Sequence, residues 1–232
     1  MQVLKFGGSS VANAQNMAKV IDIVTKAVDR DRTILVSSAI SGCTDTLIKI
    51  GTLASERDES YKTLIDELQT RHHEIIDSFL PVEKQAESKE VCDGLFDSLR
   101  SIAQGVYLLG ELSPASLDAI QSFGELWSTK ILATKLASIG IATKWIDSRQ
   151  IIRTIAKGDK NVVDIQKTYF RVNEMVETNP ITQLFVLPGF IASDKQGRTT
   201  TLGRGGSDYT AALYGVGCKA RILEIWTDVP GM

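Results

Sequence analysis

The sequence predicts an α/β fold with a mainly parallel central sheet and helices on both faces. Short apolar strands at residues 3–6, 33–36, 184–187 and 222–226 alternate with stretches whose apolar residues recur at helical spacing. The first strand, a glycine turn, a helix and the second strand follow one another directly, which is the spacing of a βαβ unit with a right-handed crossover. Continuous apolar strands, rather than alternating ones, belong to parallel sheets covered on both sides.

Taken in order, the strand at 3–6 runs into Gly7-Gly8, after which Met17, Val20, Ile21, Val24 and Val28 mark one face of a helix. The strand at 33–36 follows at once. Ligands of such sheets bind beyond the carboxyl ends of the strands, where Gly7-Gly8 and the loop 37–44 lie. From about 46 to 104 the sequence is helical and rich in charge, with Leu64, Leu68, Ile75, Ile76 and Phe79 on one stripe, and reads as a helical insertion. Ser113-Pro114 is a cap and first-turn pair. It opens a helix with Leu117, Ile120, Trp127 and Ile131 on roughly one face and Gln121, Glu125, Ser128 and Thr129 on another. Residues 141–146 read as a strand, 163–176 as a helix, and 184–187 as a buried strand ended by Pro188-Gly189. The polar stretch 194–198 reads as a hairpin turn before a strand at 199–202. Asp208 stands at the start of a helix through Ala211, Ala212 and Leu213, and 222–226 is the last apolar strand.

At 232 residues the chain is long enough to bury a substantial core without staples. A net charge of −2 argues against a general nucleic-acid or membrane surface, so any anion recognition must be local. Cys43, Cys92 and Cys218 are far apart and lack the close pairing of zinc or redox motifs, which suits a reduced cytosolic setting. His72 and His73 are adjacent on a helix and point to different faces, so they do not share a metal; no protein metal ligand is predicted. With no basic and apolar leader and no apolar run near the roughly 20 residues of a membrane span, the expected localisation is cytoplasmic.

Lys5 is the anomaly of its strand. In a sheet covered on both faces a lysine either snorkels from the strand end or meets an anion. Gly7-Gly8-Ser9-Ser10 directly beyond it favours the anion, because adjacent glycines let a backbone approach a phosphate closely and the turn presents its N–H groups. The order is the reverse of a P-loop, in which lysine follows the glycines. Gly203-Arg204-Gly205-Gly206 also lacks the third glycine of a dinucleotide fingerprint, which disfavours a Rossmann dehydrogenase. Around that stretch, from Thr199 to Thr210, lies the densest cluster of polar candidates, with Arg204 offering a fork for a carboxylate and Ser207 and Asp208 beside it. Taken alone, Asp208 is also a good helix cap. Ser37, Ser38, Ala39 and Thr44 could hydrogen-bond a small polar ligand. Glu125 in isolation reads as a solvated helical glutamate. Thr227-Asp228 after the last strand could hold a nucleotide or form a turn.

Four segments carry a resemblance: KFGGSSV from Lys5 to Val11, SFGE ending at Glu125, GRTTTLGRGGSDYTAA from Gly197 to Ala212, and WTDVPG from Trp226 to Gly231. In order and spacing over essentially the whole chain, they resemble the aspartokinases of the amino-acid kinase family. The resemblance implies the carbamate-kinase-like α/β fold of that family. It also implies transfer of the γ-phosphoryl group of ATP, accompanied by Mg2+, to the side-chain carboxylate of L-aspartate. That reaction is the first step towards lysine, threonine and methionine.

The same resemblance assigns roles. Lys5 would stabilise charge on the phosphoryl group in flight while Gly7, Gly8 and Ser9 cradle the phosphates, the electrostatic work that phosphoryl transfer demands. Arg204 would pair with the α-carboxylate of aspartate and Glu125 with its ammonium. Ser38, Ala39, Thr44 and Ser207 would position the reacting carboxylate, and Asp208 would organise the centre of the site. Thr227 and Asp228 would contact the nucleotide. Family members continue beyond this motif with further nucleotide contacts, usually regulatory ACT domains, and in some cases a homoserine dehydrogenase, which the opening segment also resembles. A catalytic domain incomplete at its C-terminus, with weak or no ATP turnover on its own, is therefore expected, and a homodimer for the longer protein. The competing expectations are a kinase for another acidic amino acid or an N-acylated derivative, and a noncatalytic ligand-binding module.

Overall fold

The computed structural model describes residues 1–158 and 160–227. β1 (Gln2–Phe6), α1 (Ala14–Arg30) and β2 (Thr33–Ser37) form the βαβ unit, with β1 and β2 parallel. Asn13 starts α1 by accepting the backbone N–H of Asn16 on its side chain. Three helices follow, α2 (Cys43–Ser55), α3 (Ser60–Phe79) and α4 (Val82–Leu109), and they occupy the charged stretch of the sequence. α5 (Pro114–Ser138) begins as its sequence predicts, with Ser113 accepting from the N–H of Ser116 and proline in the first turn.

Beyond α5 lie β3 (Thr143–Trp145), α6 (Ser148–Ile151), β4 (Thr154–Lys157), β5 (Lys160–Val163) and α7 (Ile165–Glu177). They are followed by β6 (Leu184–Pro188), β7 (Ile191–Ser193), β8 (Thr199–Thr201), α8 (Gly206–Gly217) and β9 (Ile222–Trp226). The main sheet has the order β3-β6-β2-β1-β9 and every pairing in it is parallel. Two antiparallel hairpins, β4-β5 and β7-β8, sit beside it.

Three expectations need correction. The strand foreseen at 141–146 narrows to three residues, because only Thr143–Trp145 pair with β6. The sequence signals missed β4, β5 and β7, whose short and partly polar strands are held by their partners rather than by an apolar run. α8 starts at Gly206, not at Asp208, because Gly205 takes the left-handed conformation (φ +74°) that ends the preceding turn.

Period-two alternation divides the buried strands between two cores. Leu4, Phe6, Leu35, Leu184 and Val186 pack with α1 through α5, whereas Val3, Ile34, Val36, Phe185 and Leu187 pack with α7 and α8. Helices thus cover both faces of β1, β2 and β6, whereas the apolar strand β9 at the sheet edge is largely exposed. Lys5 shares Val3's face and so points to the α8 side, and this is what decides its partner.

The helical core is anchored by aromatic contacts. Phe96 stacks on Trp127 with ring centroids 4.0 Å apart, and His72 meets Phe96 edge-on at 5.6 Å. Fully buried, Phe96 leaves a large void if truncated, so Phe96→Ala is expected to destabilise the fold by about 3–5 kcal/mol in urea denaturation. A loss below about 1 kcal/mol would show that the helices repack around the gap.

Candidate active site

The carboxyl ends of β1, β2 and β6 are in register, with Phe6 opposite Ser37 and Ser37 opposite Pro188. The loops that leave them enclose a cleft of about 380 Å³. Lys5 lies just inside, hydrogen-bonded through its strand beside Val36 and Ile225. Its side chain is only 10% exposed, and its ammonium lies 2.6 Å from Asp208 Oδ1. The contact is an ion pair without hydrogen-bond alignment, since Oδ1 is buried and has no hydrogen-bond partner among the described residues.

Two helices aim their N-termini at this cleft. α8 follows Gly205 and α2 follows Gly42, both glycines at positive φ (+74° and +77°), and neither helix has a side-chain cap. First-turn N–H groups and the positive ends of both helix dipoles are therefore left to the cleft, which suits an anion. Close packing brings α8 in. A Cβ on Gly206 would stand 2.8 Å from the Phe190 ring, and one on Gly189 would stand 2.7 Å from Ser207 Cβ.

The opposite wall is α5. A Cβ on Gly124 would lie 2.7 Å from Ala39 Cβ, so glycine lets the helix press against the loop after β2. Ser128 Oγ donates to the Ser38 carbonyl at 2.8 Å, and Glu125 Oε1 accepts the Ala39 N–H at 3.2 Å. Glu125 is 3% exposed, not solvated, and its Oε2 has no partner among the described residues. Burial pushes its carboxyl up to about 8, against the lowering effect of the Ala39 N–H.

Of the residues singled out in the sequence, Lys5, Gly8, Ser38, Ala39, Thr44, Glu125, Ser207 and Asp208 all line the cleft. Gly7 stands behind it, donating its N–H to the Trp226 carbonyl. Ser9 is exposed on the short 3-10 turn Gly8–Val11 and is not in the wall. Arg204 is exposed between the lining residues Gly203 and Gly205 and makes no hydrogen bond or ion pair with the described residues. Thr227 is exposed just past β9, and Asp228 lies outside the described residues.

Sequence reasoning missed Asp45 and Phe190 as cleft residues, whereas Gly42 falls in the loop 37–44 that it placed at the carboxyl edge of the sheet. Ser41-Gly42 before an apolar helix was a readable turn signal. Phe190 had none: its left-handed backbone (φ +66°) follows from an N–H held by Thr210 Oγ1 at 3.0 Å, a contact made only in the fold. The two histidines divide as their adjacency implied. His72 is buried and neutral, its pKa lowered to about 4 by burial, while His73 meets Asp93. Among the described residues no group of three or more His, Cys, Asp or Glu could hold a metal ion, and no helix is long and apolar enough to cross a membrane.

Comparison with known proteins agrees with this geometry. Lysine-sensitive aspartokinase 3 of Escherichia coli is 33% identical over 232 residues, covering 99% of this chain and 49% of that protein. The chloroplastic bifunctional aspartokinase/homoserine dehydrogenase 2 of Arabidopsis thaliana is 30% identical over 231 residues, covering 99% of this chain and 25% of that protein. The crystal structure of E. coli aspartokinase III in complex with aspartate and ADP superposes with a TM-score of 0.88 at 31% identity, over 100% of this chain and 50% of that one. The chain therefore spans between 25% and 50% of the length of these relatives. The amino acid kinase family profile matches residues 1–232 in full. With the parallel sheet, the paired helix N-termini and the buried lysine all in place, the chain belongs to the amino acid kinase family.

Proposed function

We propose that this chain carries the aspartate-binding and phosphoryl-handling part of an aspartate kinase, which moves the γ-phosphoryl group of ATP to the side chain of L-aspartate to give 4-phospho-L-aspartate. The observation that carries this reading is the Lys5–Asp208 pair set between two uncapped helix N-termini and facing a buried, unpartnered Glu125 oxygen. Positive potential on one side suits a phosphoryl group; a lone carboxyl on the other suits an ammonium. The aspartate complex of the E. coli relative supports the choice of substrate.

The attacking carboxylate of aspartate is already ionised near neutral pH, so no strong base is needed. What the reaction needs is alignment and charge stabilisation. Lys5 supplies the charge, and Asp208 holds its ammonium in place. The first-turn N–H groups at Thr44 and Ser207, with Ser38 and Ala39, position the reacting carboxylate. Arg204, flanked by Gly203 and Gly205 at positive φ, folds over the cleft to take the α-carboxylate. Gly7, Gly8 and Ser9 leave room for the phosphates, and Thr227 serves the nucleotide side.

ATP supplies the phosphoryl group, and Mg2+ neutralises its charge. Magnesium keeps most of its waters and binds chiefly to phosphates with one or two carboxylates, a demand that the half-exposed Asp208 fits. The free thiols of Cys43, Cys92 and Cys218 accord with a reducing, cytoplasmic setting. We place the reaction at the entry to lysine, threonine and methionine biosynthesis, as the fused homoserine dehydrogenase of one relative suggests.

Titration calorimetry with L-aspartate, L-glutamate and N-acetyl-L-glutamate tests the assignment. L-Aspartate is expected to bind, and the acylated compound to fail because its nitrogen carries no charge for Glu125. Heat from N-acetyl-L-glutamate alone would remove the proposal.

A further inference from the structure

A second cavity, of about 420 Å³, lies between α4, α5 and β3 and shares no lining residue with the candidate active site. Its wall is largely apolar, with Val91, Leu95, Trp127, Ile131 and Trp145 contributing. Two lysines reach it. Lys84 is paired with Glu87 at 3.2 Å. Lys130 has no carboxylate partner among the described residues; its ammonium stands 3.7 Å from the centroid of the Trp145 ring.

This second lysine is half-buried, and burial pulls its pKa below the ordinary lysine value, with Asp147 opposing the shift. A cation short of solvent and facing an apolar cavity gains from an anion there, and its contact with the indole face compensates only part of the lost hydration. The ring beneath it is fixed, because Trp145 Nε1 donates to Thr129 Oγ1 at 2.9 Å. A rigid aromatic wall with one positive charge that has no carboxylate in ion-pair contact among the described residues selects for a flat or branched apolar body that carries one negative group.

We propose that this cavity binds a small aromatic or branched aliphatic carboxylate, its apolar part against Trp127 and Trp145 and its carboxylate on Lys130. The occupant would touch the helix that holds Glu125. Thr129 Oγ1, which accepts from Trp145, also donates to the Glu125 carbonyl at 2.7 Å.

The test uses 3-phenylpropionate and 4-methylpentanoate as probes, titrated into the purified chain by calorimetry, with tryptophan fluorescence as a second readout. Saturable binding of at least one probe is expected, unaffected by saturating L-aspartate. The neutral amide of the bound probe should bind at least tenfold more weakly. Lys130→Met, which keeps the apolar stem, should cost at least tenfold in affinity. Ala137→Trp, at an exposed lining position, should block the cavity and abolish binding without disturbing the core, as thermal melting of both variants would check. Absence of saturable binding by both probes overturns the proposal. So does binding that is competed by L-aspartate, that the amide matches, or that both substitutions leave unchanged.

Discussion

Lys5→Ala is expected to lower the rate of aspartyl phosphate formation by about 10²–10³-fold, the usual cost of deleting one preorganised charge or donor at a developing anion. The measurement is coupled ADP release in the longest form of the protein that turns over ATP. The size of the effect follows from position. Lys5 is buried at the end of β1, held by Asp208 at 2.6 Å, and among the described residues no other lysine or arginine lines the cleft. Folding should be affected far less, because the Asp208 side chain is 47% exposed overall and its carboxylate can turn the buried Oδ1 towards water when its partner is removed. Lys5→Met, which retains the apolar stem, should lose the same rate while melting close to the parent protein. Unchanged turnover in either variant would contradict the role assigned to the ammonium.

The second large effect concerns Glu125. Burial raises its carboxyl from an ordinary 4.5 to about 8, so between those values the folded chain holds a proton that the unfolded chain has lost. The contribution of Glu125 to stability should therefore be fullest below about pH 4.5 and decline as pH rises towards 8, by an amount on the order of a few kcal/mol. Glu125→Gln, neutral at every pH, should flatten this part of the profile, which chemical denaturation at pH 5 and pH 8 would read.

Ligand binding should carry the opposite sign. An arriving ammonium needs the ionised carboxylate, so below pH 8 aspartate binding expels a proton and its affinity rises by about tenfold per pH unit. In Glu125→Gln that slope should vanish and affinity at pH 8 should fall by about 10²-fold, because a charged hydrogen-bonded pair is replaced by a neutral contact. Calorimetry at pH 6, 7 and 8 in two buffers of different ionisation enthalpy counts the proton. An affinity for L-aspartate that is independent of pH in the parent chain would show that Glu125 does not receive the ammonium.

Glu125 also shows where reading the sequence stops. Helical periodicity places it with Gln121, Ser128 and Thr129 on a polar stripe, which usually means solvent. In the structure residues 122–129 are all buried, so α5 has little solvent face over that stretch. Nothing local in SFGE says that glycine will be pressed onto Ala39. Arg204 differs in the other direction: its glycine-flanked motif was conspicuous, yet its side chain is exposed and outside the cleft wall.

Strands β1, β2 and β6 were legible because each is an apolar run, and the start of α5 because Ser113-Pro114 is a local signal that needs no partner. β4, β5 and β7 were not, since strands of three or four residues exist only through the strand each pairs with.

The sequence by itself thus determined the α/β class, the βαβ start, the glycine turns and an inventory of charged and hydroxyl groups, all set by periodicity and backbone preference within a few residues. Tertiary structure alone decided that Lys5 meets Asp208 rather than solvent, that two helix N-termini share one cleft, and that Glu125 is buried. Each of these depends on register and close approach between segments far apart in the chain, and contacts of that range leave no local pattern to read.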